Sequence, residues 1–225
     1  MSSIIREYKK KAPFRDATLF VIVCEGQKRE SDYFDFFDRL SSRIKVVSLP
    51  CKQGRSAPKY LIRNAENYAK NSGLNSEDEL WFVLDVDKWK KNDIDHLINY
   101  CKKNKYYALS NPCFEVWLYY HFKDTKPQLK NISECTDWKR HLPEVISGGF
   151  DSNKHPREIQ TAIVNAKNIF SEKGYLPDVG CTQVFRLAEK IYNLIRMYCD
   201  FIFVRNYFSF FMRRNIFMLL VWKKR

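Results

Sequence analysis

The 225-residue chain has no Cys-x-x-C pair, no G-x-x-x-x-G-K-[ST] loop, and no uninterrupted apolar run near the roughly 20 residues that span a bilayer. Its seven cysteines (Cys24, Cys51, Cys101, Cys113, Cys135, Cys181 and Cys199) are odd in number and widely spaced. That pattern argues against a disulfide framework and a structural zinc site, and it suits a reducing cytoplasm. Without the phosphate-binding loop, the chain has no nucleotide-binding element of that kind. The amino terminus lacks an apolar segment of secretory design: Arg6, Lys9, Lys10 and Lys11 precede Pro13, so residues 1–16 read as a basic arm.

Acid is in short supply. There are 26 Asp and Glu against 39 Lys and Arg, a formal net charge of +13. Such a surface favours a polyanionic partner, because lysine and arginine displace the counterions condensed on nucleic acid. Charge by itself does not separate nucleic acid from an anionic membrane surface. With 45% hydrophobic and 16% aromatic residues, the chain can bury one substantial core, and a single domain with an appended subdomain is expected.

Where the few acids fall is informative. Val21-Ile22-Val23-Cys24-Glu25-Gly26 and Leu80-Trp81-Phe82-Val83-Leu84-Asp85-Val86-Asp87 are two apolar runs that each end in carboxylate. Runs of this kind read as strands covered on both faces, which puts their terminal acids at the carboxyl rim of one parallel sheet. Glu25, Asp85 and Asp87 offer only oxygen, a donor set for magnesium or manganese rather than zinc. Alternate residues of an extended strand point the same way, so Asp85 and Asp87 are expected to face one ion. An Asp-x-Asp after a strand also serves as a solvated turn or helix cap.

Strand and helix signals alternate through the body. A helix is expected over Glu30–Leu40, a strand over Ile44–Leu49, and a helix opened by Ser56-Ala57-Pro58, with Ser56 as its cap, running to about Asn71. Further on, a helix is expected from Asp93 to Lys103, a strand over Tyr106–Leu109, and a helix opened by Ser110-Asn111-Pro112 with an apolar stripe of Phe114, Trp117, Leu118 and Phe122. Glu115, just past that strand, is a candidate fourth ligand or general base, or a first-turn acid facing the helix dipole. His121 reads as a packing residue. Periodicity weakens over Lys123–His155, a candidate helical lobe or lid, and returns over Pro156–Lys173 and Thr182–Met197.

Candidate phosphate contacts lie around the acids. Lys28 and Arg29 follow Glu25, Lys52 and Arg55 lie in a glycine-containing loop before a helix, and Lys88, Lys90 and Lys91 flank Trp89 after the Asp pair. For each, a solvated charged surface is the competing reading. Residues 198–225 differ from the rest, with nine aromatics and six basic residues against one acid. The expected division is a basic arm (1–16), a core (17–122), helices packed on that core (123–197) and an aromatic, basic extension (198–225).

The strand-Glu-Gly and strand-Asp-x-Asp pair resembles the Toprim pattern. The strings Cys24-Glu25-Gly26-Gln27-Lys28-Arg29-Glu30-Ser31-Asp32-Tyr33-Phe34 and Ser110-Asn111-Pro112-Cys113-Phe114-Glu115-Val116-Trp117-Leu118-Tyr119-Tyr120-His121-Phe122 resemble RloB proteins, a Toprim-like group that includes the second component of the AbiL abortive-infection system. The resemblance runs from about Thr18 to Arg196. It departs at Arg29, where the family usually has Thr, and at Pro177-Asp178-Val179-Gly180-Cys181-Thr182, where a Pro-Ser-Thr type segment is usual. It implies an α/β, Toprim-like, mostly parallel sheet with helices on both faces and an added carboxyl-terminal helical region. It also implies a magnesium-dependent nuclease acting on RNA or DNA in phage defence, with Glu25, Asp85, Asp87 and Glu115 as catalytic residues and an ATPase partner. The alternative is a noncatalytic nucleic-acid-binding or regulatory subunit.

Overall fold

The computed structural model describes residues 18–196 except 27, 39, 41–43, 51–56, 73, 88 and 102–104. Lys52, Arg55, Lys88, the amino-terminal arm and residues 198–225 lie outside the described residues.

Four parallel strands form the sheet: β1 (Thr18–Cys24), β2 (Ile44–Pro50), β3 (Glu79–Asp85) and β4 (Lys105–Asn111). A short fifth, β7 (Cys181–Thr182), joins antiparallel to β4, giving the order β2-β1-β3-β4-β7. The helices between them are α1 (Arg29–Asp38), α2 (Pro58–Ser72), α3 (Lys91–Tyr100) and α4 (Glu115–Tyr119), followed by α5 (Cys135–Val145) and α6 (Ile159–Ile169). A two-stranded ribbon, β5 (Glu172–Lys173) with β6 (Leu176–Pro177), comes next, and residues 184–196 are helical.

Period-two alternation feeds two cores, one on each face of the sheet. Phe20, Ile22 and Cys24 of β1, with Trp81 and Val83 of β3, pack into a cluster containing residues of α1, α4, α5, α6 and the 184–196 helix. Leu19, Val21 and Val23, with Leu80, Phe82 and Leu84, pack against α2 and α3. The sheet is therefore sandwiched, which is why both strands read as continuous apolar runs. Asp78 pins the entry to this pair of strands: its carboxylate accepts from Leu19 N at 3.1 Å and Asn75 N at 2.7 Å.

Two regions differ from the pattern reading. The helix after Pro112 is only five residues long, and all five are buried, so it is an internal plug rather than an amphipathic rod with one apolar stripe. Residues 123–155 hold α5, whose Trp138 and Leu142, with Ile146, complete the α1 side of the core. The carboxyl-terminal part also supplies β7, fastened by Gln183. Its backbone N–H donates to Leu109 O at 2.7 Å, and its side-chain oxygen accepts from Leu109 N at 3.1 Å. Gly180, at φ 75°, makes the turn into β7, donating its N–H to Asn111 O and accepting from the Tyr120 hydroxyl at 2.6 Å.

Candidate carboxylate site at the sheet rim

The strand order reverses between β1 and β3: from β1 the chain adds β2 on one side, then returns to place β3 on the other. At such a switch point the loops leaving the two strands diverge and open a crevice beyond their carboxyl ends. Glu25 follows β1 and Asp85 ends β3, so the crevice is lined by these two acids.

Both are buried, at 5% exposure each, and hydrogen bonds hold them. Glu25 Oε2 accepts from the Trp89 indole at 2.9 Å and from Asp85 N at 3.3 Å, while Glu25 N donates to Val83 O at 3.2 Å. Asp85 Oδ1 accepts from Phe114 N at 2.8 Å. Donors of this kind stabilise the ionised carboxylates and fix their orientation. The loop after β3 is tied to the loop after β4, since Val86 N donates to Ser110 O and Pro112 O, and Asp87 N to Pro112 O.

Asp87 lies past the end of the strand that carries Asp85. Extended geometry ends at Asp85, the next residues turn, and Asp87 is exposed. Among the described residues, the carboxylates of Glu25, Asp85 and Asp87 do not close to the 4.8 Å mutual spacing of a ready ligand cluster. Their chemistry nevertheless fits a hard divalent cation: all donors are oxygen, two are anchored, and the third is on a turn at the rim.

Glu115 faces another way. Its Oε1 is paired with Arg29 Nη1 at 2.8 Å, and its Oε2 lies 3.8 Å from Cys135 Sγ. Arg29 thus pairs with a carboxylate that is only 4% exposed. Of the basic residues expected at phosphate, Lys28, Arg29, Lys90 and Lys91 are exposed. Lys28 and Arg29 line a cleft of ~370 Å³ with Asp32, Phe150 and Ser152. Lys90 and Lys91 sit at the start of α3, just beyond Trp89.

Gly26 allows the first loop to pack tightly. A Cβ there would meet the Glu30 carboxylate at 2.0 Å, so any side chain displaces a buried acid. His121 is a core residue: Nε2 bonds the Tyr33 hydroxyl at 3.1 Å and Nδ1 bonds Trp117 O at 3.1 Å. Because the carbonyl can only accept, Nδ1 carries the proton and Tyr33 donates to Nε2. Burial holds the imidazole neutral and lowers its pKa from 6.5 to about 3, with the Trp117 carbonyl opposing the shift.

Sequence reasoning missed three partners at this site: the Trp89 indole on Glu25, Arg29 on Glu115, and Cys135 beside Glu115. Trp89 was legible only as an aromatic flanked by lysines, and the sequence carries no signal that brings Cys135 to Glu115, 20 positions apart.

A mostly parallel α/β sheet with helices on both faces and acids at its carboxyl rim is consistent with a Toprim-like fold. Within that class the chain belongs to the RloB-like protein family, whose model matches residues 20–191, from β1 into the 184–196 helix. No curated protein and no solved structure matches the chain. Among the described residues, no helix is long and apolar enough to cross a membrane.

Proposed function

We propose that the protein is a metal-dependent nuclease that hydrolyses phosphodiester bonds in RNA, tRNA included, or in DNA, as the effector of a phage-defence system. The observation that carries this reading is the pair of buried, hydrogen-bonded carboxylates Glu25 and Asp85 at the switch point of a parallel sheet, with exposed Asp87 two positions further on, on the turn at the rim. Burying two acids near each other is costly unless cations or donors compensate, and in a chain of net charge +13 acids gathered at a sheet rim suit a bound cation that a phosphate can approach.

Glu25, Asp85 and Asp87 would hold magnesium or manganese, which supplies Lewis-acid stabilisation of the scissile phosphate and a water of lowered pKa. The protein's own part is positional. Trp89 and the Asp85 amide orient Glu25, Phe114 N orients Asp85, and Lys90 and Lys91 attract the nucleic-acid backbone. The reaction would take place in the cytoplasm, under the control of a partner ATPase that detects infection.

A second reading is a noncatalytic nucleic-acid-binding or regulatory subunit. It is favoured by the bonds themselves, since Glu25 and Asp85 brace the β1–β3–α4 junction and would be retained for that alone. The deciding experiment incubates purified wild type, Asp85→Ala and Asp87→Ala with tRNA and plasmid DNA, with the ATPase partner present, with magnesium, manganese or EDTA. Cleavage that requires metal and both acids supports the nuclease; equal cleavage by wild type and Asp85→Ala overturns it.

A further inference from the structure

A second set of ligating side chains lies behind the rim. Cys113, in the loop before α4, Glu115, in its first turn, and Cys135, the first residue of α5, bring two sulfurs and a carboxylate oxygen within 4.8 Å of one another. All three are buried, at 0%, 4% and 8% exposure. Cys135 Sγ and Glu115 Oε2 are already 3.8 Å apart. Tetrahedral zinc, with bonds of ~2.3 Å to sulfur and ~2.0–2.2 Å to oxygen, separates its ligand atoms by roughly 3.5–3.8 Å, so only a small contraction is needed.

The surroundings suit a charged centre. Two thiolates, one carboxylate and zinc leave a single formal negative charge. Arg29 contacts the far oxygen of Glu115 at 2.8 Å, turning Oε2 towards the sulfurs. Lys139, one turn beyond Cys135 on α5, adds a second cation near the Glu115 and Cys135 side chains.

We propose that Cys113, Cys135 and Glu115 form a zinc site that clamps α5 onto the α4 plug. Two sulfur donors select against magnesium, and two cysteines are too few for an iron–sulfur cluster, which takes four. Three protein ligands leave one position of the tetrahedron for water. Such a clamp joins the lobe at 123–155 to the segment whose Phe114 amide holds Asp85, so it tethers the rim from behind. It shares no ligand with an ion held by Glu25, Asp85 and Asp87.

The test uses the full chain, produced with zinc in the medium and purified under reducing conditions without chelator. Elemental analysis should find about one zinc per chain. Exchange with cobalt(II) should give visible ligand-field bands and a near-ultraviolet thiolate charge-transfer band, each reduced in Cys113→Ser and Cys135→Ser. Cys101→Ser, on the opposite face of the sheet, should leave both unchanged. Glu115→Gln, which keeps the side-chain shape, should weaken zinc affinity about 10-fold or more. A chelator should lower the Tm of wild type and not that of Cys135→Ser. Three results overturn the site: zinc at trace level in reduced wild type, cobalt bands that persist in the Cys113→Ser, Cys135→Ser double variant, or a native Cys113–Cys135 disulfide shown by a mass two hydrogens lighter.

Discussion

The rim acids and the Glu115 pocket meet at one backbone segment, yet they differ in their ligand atoms and in their access to solvent. Phe114 turns its amide to Asp85, while the residues on either side of it, Cys113 and Glu115, send their side chains to Cys135 and Arg29. At the rim, the carboxylates accept from two backbone amides and an indole, and the site opens towards solvent at Asp87. In the pocket, a carboxylate is paired with a guanidinium and enclosed with two thiols. The rim set suits a hard cation exchanging with solvent and phosphate, whereas the pocket suits a fixed, structural role.

The sharpest way to break that comparison is to remove the rim acids one at a time. Asp87→Ala should lower nuclease activity by at least about 100-fold with no change in Tm, because the side chain is exposed. Asp85→Ala should lose a similar factor and also destabilise by about 1–3 kcal/mol, since it strands the buried Phe114 amide. Activity assays paired with thermal unfolding separate the two, and an Asp87→Ala protein of full activity would remove Asp87 from the site.

The pocket side carries the pH dependence. His121 has a folded pKa of about 3 against 6.5 for the free side chain, so on acidification the unfolded chain takes up the proton first. This contribution is complete above 6.5 and lost as pH falls from there towards 3. It amounts to on the order of 2 kcal/mol by about pH 5. Denaturant unfolding as a function of pH should show that slope, and His121→Gln should flatten it.

Arg29→Gln probes the pocket's charge. Glu115 would lose its cation, but the guanidinium is 52% exposed and water can take its place, so about 1 kcal/mol of stability is expected to go. Urea midpoints measure it, and a loss several times larger would mean that the pair is sealed from solvent. The smallest effect belongs to the lysines beyond the rim. Lys90→Gln and Lys91→Gln should each reduce the slope of log affinity against log salt by about one if the side chain meets phosphate, with little change in cleavage rate at low salt. An unchanged slope in a binding titration would make them ordinary surface charges.

How far each region was legible follows from the range of the interactions that build it. The β1 and β3 runs, with their terminal Glu25 and Asp85, could be read directly, because a strand buried on both faces must be apolar along its length and only its end can carry an acid. The path of the chain after Asp85 could not, since β3 ends there and hydrogen bonds from Val86 and Asp87 to the Ser110–Pro112 loop turn the chain. The helix after Pro112 looked amphipathic by spacing, but α5, α6 and the 184–196 helix cover its remaining sides, so every residue of it is buried. Wide cysteine spacing gave no sign that two of the thiols would share a pocket, because spacing considers only residues close in sequence. Cys113 and Cys135 meet when α5 packs over α4.

The sequence by itself therefore determined the sheet, the sandwiching of its central strands and the acids at its carboxyl rim, because alternation, strand ends and helix starts are local properties of the chain. Only the tertiary structure decided that Trp89 would anchor Glu25, that Arg29 would neutralise Glu115, and that two cysteines 22 positions apart would share a pocket. Those contacts depend on how whole elements cross and pack, and a side chain's partner across such a crossing is set by the geometry of every residue between them.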